Sequence, residues 1–269
     1  MDLSGSPAAP ARATLGLLVL TFAMLWVPVG QHDFLVEHWM KLGTFMAPFL
    51  LFVAGAFREE DSVDPKRDVR ALSLVMLVAY IVHQFEEHWI DLYGNVYAFY
   101  DSVNRLLQSV TGTDTNALTP EGIFVINTSL VWLVAGLAIA YGPRRIFPVL
   151  AMASIIVVNA FAHIVLGIAK FEYNPGLLTS FLVFAPVGGY VYWLALRDDL
   201  ASRRDVGLSI AWGVVAHVIM VGGLIAGNVR GLFPESVYFA VLIGWSIVPV
   251  FVPSTREGRR SFATSPPRS

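Results

Sequence analysis

Long apolar stretches, separated by short polar segments, recur along the whole chain. A stretch of this kind can cross a membrane, because a hydrocarbon core of about 30 Å takes about 20 residues of α-helix. Eight such stretches lie at approximately residues 14–30, 37–57, 70–93, 121–142, 146–169, 176–196, 206–227 and 236–252. The pattern predicts an all-α protein, a polytopic transmembrane bundle of about eight helices in one membrane-embedded domain over residues 1–269.

The length of the first stretch suits either a cleaved signal peptide or a retained helix. Its last residues, WVPVG at 26–30, make a poor small-residue cleavage site, and further apolar stretches follow. We therefore expect this stretch to stay in the protein as the first membrane helix.

The basic residues predict which side of the membrane each connection faces. Lys and Arg that flank membrane helices are retained on the cytoplasmic side. If both termini are cytoplasmic, all but four of the 18 basic residues lie on that side; the four are Lys41, Arg105, Lys170 and Arg230. We therefore expect cytoplasmic termini and a multi-pass protein of the plasma membrane.

The composition supports a membrane protein and limits the cofactors that the chain could bind. Hydrophobic residues make up 56% of the chain and charged residues 14%, far from a soluble average. The net charge of −2 adds nothing about partners, and no basic run beyond the short loops suggests nucleic acid. The expected partners are membrane lipids and a lipid-like substrate. The chain has no cysteine, which excludes cysteine-bound zinc, haem-thiolate and iron–sulfur clusters.

The third stretch ends in AYIVHQFEEHWIDLYG, which places four titratable residues in one helix. On a helical wheel of about 100° per residue, His83, Glu86 and Glu87 span about 100° of one face, whereas His88 points elsewhere. His83 is expected about 20 Å along the helix, in the outer third of the membrane. A charge there costs at least about 2.5 to 3.5 kcal/mol, so something must compensate it.

The fifth stretch carries a second polar pair at the same expected depth. In VVNAFAHIVLG, Asn159 and His163 are four residues apart on one stripe, which Lys170 continues. The fourth stretch presents the polar residues 127–129 about two turns below the outer surface. The sequence therefore predicts that polar groups from three helices meet at one level.

Three short motifs, HQFEE, NAFAH and YNPG, follow one another in this order. They resemble the HXXEE, NXXXH and YXPG motifs of the HXXEE domain family of integral membrane proteins, over about residues 69–196. The resemblance implies an integral membrane protein whose polar motifs suggest an enzyme, and it selects His83, Glu86, Glu87, Asn159, His163, Tyr173, Pro175 and Gly176. The residues Asn174 and Pro175 are also typical of an N-cap and a first helical turn.

The buried charges have three interpretations. In the first, His83, Glu87 and His163 bind zinc, iron or manganese, a mixed nitrogen and oxygen set that suits these divalent ions. The catalytic group is then Glu86, Glu87 and Asn159, with Glu86 either a further ligand or the general base. A metal that leaves one position open to water supplies a nucleophile near neutral pH.

In the second interpretation, Lys170 and the histidines neutralise the carboxylates in an ion network, which would serve a proton-coupled transporter or a proton relay. In the third, the network holds helices together as a non-catalytic binding or structural module. A carrier needs a continuous polar path to the cytoplasm. The halves of the third and fifth stretches on the expected cytoplasmic side, ALSLVMLVA and FPVLAMASIIVV, contain only Ser73 and Ser154 as polar residues. A site open to one side favours an enzyme or a receptor over a carrier.

The expected substrate of such an enzyme is a lipid or another amphiphile, because the site lies among apolar walls. Metal-assisted hydrolysis and proton transfer, such as isomerisation, both suit a carboxylate in a dry pocket. Residues 96–110 carry apolar positions at three-to-four spacing, which predicts an amphipathic helix on the outer surface. This helix acts as an interfacial anchor or as a lid over the site.

Overall fold

A computed structural model describes residues 32–56, 68–142 and 144–255. These residues are predominantly helical and form no β-strand, so the predicted all-α fold is confirmed for this part of the chain. The helices are α1 His32–Ala56, α2 Val69–His88, α3 Ala98–Thr111, α4 Pro120–Tyr141, α5 Phe147–Lys170, α6 Leu177–Arg197, α7 Arg203–Val229 and α8 Glu235–Val250.

Five of the described helices, α2, α4, α5, α6 and α7, are long and apolar enough to cross a membrane. The sixteen-residue α8 is a shorter apolar helix, and α1 is a 25-residue helix that contains Pro48. These properties are those of a membrane protein. The first predicted span, residues 14–30, lies outside the described residues, and the count of eight spans and the cytoplasmic termini stay predictions.

Side-chain caps explain where two of the spanning helices begin. Asp68 precedes α2 and its carboxylate accepts hydrogen bonds from the backbone N–H groups of Arg70 and Ala71. Thr119 caps α4 by accepting from the Gly122 N–H at 2.9 Å, and Pro120 occupies the first helical position. The positions of these caps determine which residues of α2 and α4 lie at the same height along the bundle.

Helix α2 lies in the centre of the described bundle, packed against α1, α4, α5 and α6. The N-terminal half of α2 is almost entirely apolar and buried, as is that of α5; Met76, Leu150 and Met152 are fully enclosed. Ser73 and Ser154 are the buried polar residues of these halves, and the other buried polar residues of both helices lie toward their C-terminal ends. The connection from α5 into α6 crosses this end of the bundle.

Two helices widen into π-helical segments beside the polar residues. One is Asn127–Leu133 within α4 and the other is Ser180–Phe184 within α6. A π-helical turn changes the direction of the side chains that follow, and such turns occur frequently at functional sites. Here they direct Asn127 and Phe184 toward α2.

Candidate metal centre

The two motif histidines and Glu87 converge on one point. Glu87 Oε1 lies 3.2 Å from His83 Nε2 and 3.0 Å from His163 Nε2. His83 and Glu87 share a face of α2 because they are four residues apart, and His163 faces them from α5. Their ligand atoms all lie within 4.8 Å of one another, so this group could hold a metal ion.

The group is enclosed by protein. His83 is 0% exposed, Glu87 4% and His163 8%. The ring of Phe184 from α6 packs against His83 at a centroid distance of 4.1 Å. Charges in such surroundings are stable only when they are paired, protonated or bound to a metal.

The Nδ1 atoms of His83 and His163, which face away from Glu87, have hydrogen-bond partners that determine which ring nitrogen carries the proton. The Thr179 hydroxyl donates to Glu86, so its oxygen accepts from His83 Nδ1–H at 2.8 Å. The amide nitrogen of Asn174 donates to the His163 carbonyl, which leaves its oxygen to accept from His163 Nδ1–H at 2.6 Å. Each neutral imidazole therefore carries its proton on Nδ1 and presents the Nε2 lone pair to Glu87.

Two lone pairs and one carboxylate oxygen that point at each other repel unless positive charge lies between them. A metal ion supplies that charge to all three atoms at once. A single proton on His163 satisfies Glu87 but leaves His83 Nε2 facing the carboxylate, with the Asn159 amide 3.1 Å away as its donor. Histidine ligands of metals characteristically donate their other nitrogen to an acceptor, as both do here.

The distances also fit a metal. Ligand bonds of about 2.0 to 2.1 Å place neighbouring ligand atoms about 2.9 to 3.4 Å apart in octahedral or tetrahedral geometry. The separations of 3.0 and 3.2 Å between Glu87 Oε1 and the two imidazole nitrogens fall in that range. The residues present therefore fit a divalent ion with two nitrogen ligands and one oxygen ligand.

Glu86 lies apart from this point and anchors the start of α6. Its carboxylate accepts hydrogen bonds from the N–H groups of Leu178 and Thr179, from the Thr179 hydroxyl and from the Tyr173 hydroxyl. A carboxylate at a helix N-terminus is also stabilised by the helix dipole. The sequence predicted Glu86 as a catalytic residue; in the described part of the chain, hydrogen bonds connect it to His83 through Thr179.

Tyr173 joins the loop after α2 to the same carboxylate. Its hydroxyl accepts from the Leu92 N–H at 3.0 Å and donates to Glu86 at 2.8 Å. Partial burial and the neighbouring Glu86 raise the pKa of Tyr173 above its usual value. The phenol therefore stays protonated near neutral pH, as its donor role requires.

The other predicted site residues occupy different places. Asn159 lies beside the group, with its amide nitrogen 3.1 Å from both His83 Nε2 and the Tyr80 hydroxyl. Lys170 is exposed at the end of α5, while the carboxylates find their partners among histidines, hydroxyls and backbone N–H groups. Polar groups of α2, α4 and α5 do meet at one level, as predicted.

His88 was predicted to point away from the face that carries His83, Glu86 and Glu87, and it nevertheless contacts Glu87. Its Nε2 lies 3.4 Å from Glu87 Oε2, the oxygen that faces away from the other histidines. The helical wheel places Cα directions 100° apart, but a glutamate is long enough for its two oxygens to serve both directions. The same His88 Nε2 lies 3.3 Å from the amide nitrogen of Asn127, whose side-chain oxygen accepts from the Gln84 amide.

Gly176, in the connection from α5 to α6, packs directly against His83, His163 and Glu87. Its φ is +96°, and a Cβ atom there would lie 2.8 Å from the Cε1 atoms of both His83 and His163 and 3.0 Å from Glu87 Cγ. Only glycine accommodates both the backbone angle and the close approach. This geometry explains the glycine of the YNPG motif.

The residues Asn174 and Thr179 were not identified as site residues from the sequence. Asn174 was expected to cap α6, but its side chain binds His163, and Gly176 occupies the cap position instead. The expectation was wrong because the helix starts only after the glycine has crossed the histidines. Asn174 lies inside the YNPG motif, and this position could have identified it as a site residue. No motif or spacing in the sequence pointed to Thr179.

The predicted amphipathic helix is confirmed as α3, and its first turn covers the group. The Phe99 ring lies 4.9 Å from the His88 ring and 6.4 Å from the His163 ring, measured between centroids. Asn104 and Leu107 are buried on the inner face of the helix, whereas Val110 is exposed. The start of α3 is therefore part of the wall of the site.

Comparison with known proteins agrees with the motifs. Residues 74–191 match a family model described as "Protein of unknown function with HXXEE motif", which confirms the predicted resemblance. The matched segment contains His83, Glu87, His163 and Gly176. No curated protein and no solved structure matches the chain.

Proposed function

We propose that this protein is a metal-dependent membrane enzyme that acts on a lipid or another amphiphile, with its site in the HXXEE segment 74–191. The metal ligands are His83, Glu87 and His163, and the ion is zinc, iron or manganese. The observation that carries the proposal is that His83 Nε2 and His163 Nε2 lie 3.2 and 3.0 Å from the same oxygen of Glu87, while both Nδ1 atoms have hydrogen-bond partners of their own.

A bound divalent ion would activate a water molecule or polarise a carbonyl oxygen of the substrate. The chain's own residues prepare the site for this. Thr179 and Asn174 hold the imidazole protons on Nδ1, and Glu86 holds the start of α6 against α2. His88 is the group beside Glu87 that the ligand set does not use, and its Nε2 lies 3.4 Å from Glu87 Oε2.

The walls of the site support an amphiphilic substrate. Phe184, Phe99 and Trp39 pack against the three histidines, so a substrate that reaches the group must pass apolar surfaces. The polar head of an amphiphile would meet the metal, and its chains would stay among these rings or in the membrane. Hydrolysis and proton-transfer isomerisation both fit this arrangement.

The proposal is tested with an extract of membrane lipids. Purified full-length protein is incubated with the extract, with and without added zinc or manganese, and lipid species are compared by mass spectrometry. We expect a lipid to be consumed and a product to form with wild type and metal, and neither with His163→Ala. If wild type binds metal and leaves every lipid unchanged, the enzymatic part of the proposal is wrong, and metal binding itself stands.

A further inference from the structure

The hydroxyl of Ser180 behaves differently from other buried hydroxyls in the described helices. In a helix, a Ser or Thr hydroxyl can donate to a carbonyl three or four residues earlier, which satisfies it without a partner helix. Six buried residues do this: Ser73, Thr128, Ser129, Ser154, Ser209 and Ser246. Ser180 is 0% exposed, and its Oγ has no hydrogen-bond partner among the described residues.

The Ser180 side chain does not make this bond. Gly176 O, four residues earlier, accepts from the Ser180 N–H at 2.9 Å but not from the Ser180 hydroxyl. The serine lies at the first residue of the π-helical segment Ser180–Phe184, where the helix widens. A buried hydroxyl without a partner costs free energy, which a ligand with an acceptor atom would recover.

Ser180 lies on the face of α6 that borders the metal centre. Four residues earlier, Gly176 is packed against His83, His163 and Glu87. Four residues later, Phe184 is packed against the His83 ring. Residues four apart on a helix point within about 40° of each other, so Ser180 lies between two residues that contact the group.

We propose that the Ser180 hydroxyl donates a hydrogen bond to an acyl carbonyl oxygen of the ligand that binds at the metal centre. This inference rests on the proposed function. The group is enclosed by protein and bordered by the Phe184 ring, so a further charge brought beside Ser180 would have to be buried at a cost. A neutral carbonyl oxygen accepts the hydroxyl proton without that cost.

The test uses full-length protein in detergent, loaded with cobalt(II), whose visible spectrum reports ligand binding. The probe is octanohydroxamic acid, which joins an acyl chain to a metal-binding carbonyl. We expect Ser180→Ala to weaken binding of the probe about tenfold, which corresponds to the loss of one hydrogen bond. Ser180→Cys keeps the volume but donates weakly, so it should lose most of the same affinity.

The matched control is Ser246→Ala, which removes a fully buried hydroxyl on α8 that donates to Leu242 O. It should bind cobalt and the probe as wild type does. If Ser180→Ala binds cobalt and the probe like wild type, or if Ser180→Ala loses cobalt itself, the role of Ser180 as a ligand donor is overturned. If wild type binds cobalt but not the probe, the inference also fails, whereas the absence of cobalt from wild type overturns the metal centre and the inference together.

Discussion

Replacing Glu87 by glutamine is expected to abolish metal binding and to leave the bundle folded. The side chain keeps its size, but the oxygen that faces both imidazole nitrogens loses its negative charge. Loss of a supporting partner typically weakens a metal site 10- to 100-fold, and loss of a charged ligand should cost more than about 100-fold. Competition with a chromogenic chelator measures the affinity, and circular dichroism measures the helix content.

Glu86→Gln is the matched control, because it changes the neighbouring carboxylate of the same motif. Glu86 accepts four hydrogen bonds at the start of α6, and an amide nitrogen facing those N–H groups cannot accept. We expect this variant to lose about 2 to 3 kcal/mol of stability and to keep its metal affinity within about tenfold. Equal loss of metal in both variants would contradict the separation of roles between the two glutamates.

Gly176→Ala is expected to disrupt the metal centre and to destabilise the protein. Two costs add: about 1 to 2 kcal/mol for a side chain at φ +96°, and about 1 to 3 kcal/mol for a Cβ placed 2.8 Å from both histidine rings. The backbone must move away from His83 and His163, and the hydrogen bond from Asn174 to His163 moves with it. A lower denaturation temperature and a loss of bound metal are the expected results.

The control for this variant is Gly94→Ala in the loop after α2. Gly94 has φ +83°, and a Cβ there would meet nothing within 4 Å, so only the backbone cost of about 1 to 2 kcal/mol applies. This variant should keep its metal. Retention of full metal affinity by Gly176→Ala would show that the close approach of the glycine is unimportant for the site.

The helices could be predicted from the sequence because their cause is local. Apolar length and basic flanks place α5 at 146–169, against Phe147–Lys170 in the structure. The third span was predicted to reach residue 93, whereas α2 ends at His88. Beyond Trp89 the chain turns at Asp91, whose carboxylate accepts from Tyr93 N–H and from the backbone and side chain of Asn95.

Part of the candidate site could also be predicted. His83, Glu87 and His163 were identified because helical spacing alone places His83 with Glu87, and equal depth brings His163 to them. The remainder depends on where α6 starts and how it crosses α2. That crossing takes Glu86 away from the centre, brings Gly176 onto the histidine rings and positions Thr179 and Asn174 behind them. No pattern in a single sequence gives this crossing.

The most direct test of the metal centre is elemental analysis of protein purified in detergent without chelator. Wild type, His83→Ala and His163→Ala are compared by inductively coupled plasma mass spectrometry. We predict close to one zinc, iron or manganese per wild-type chain and loss of that metal in both variants, since the two histidines share one ion. A folded wild-type protein that contains no metal, or variants that keep it, would contradict the metal centre at His83, Glu87 and His163.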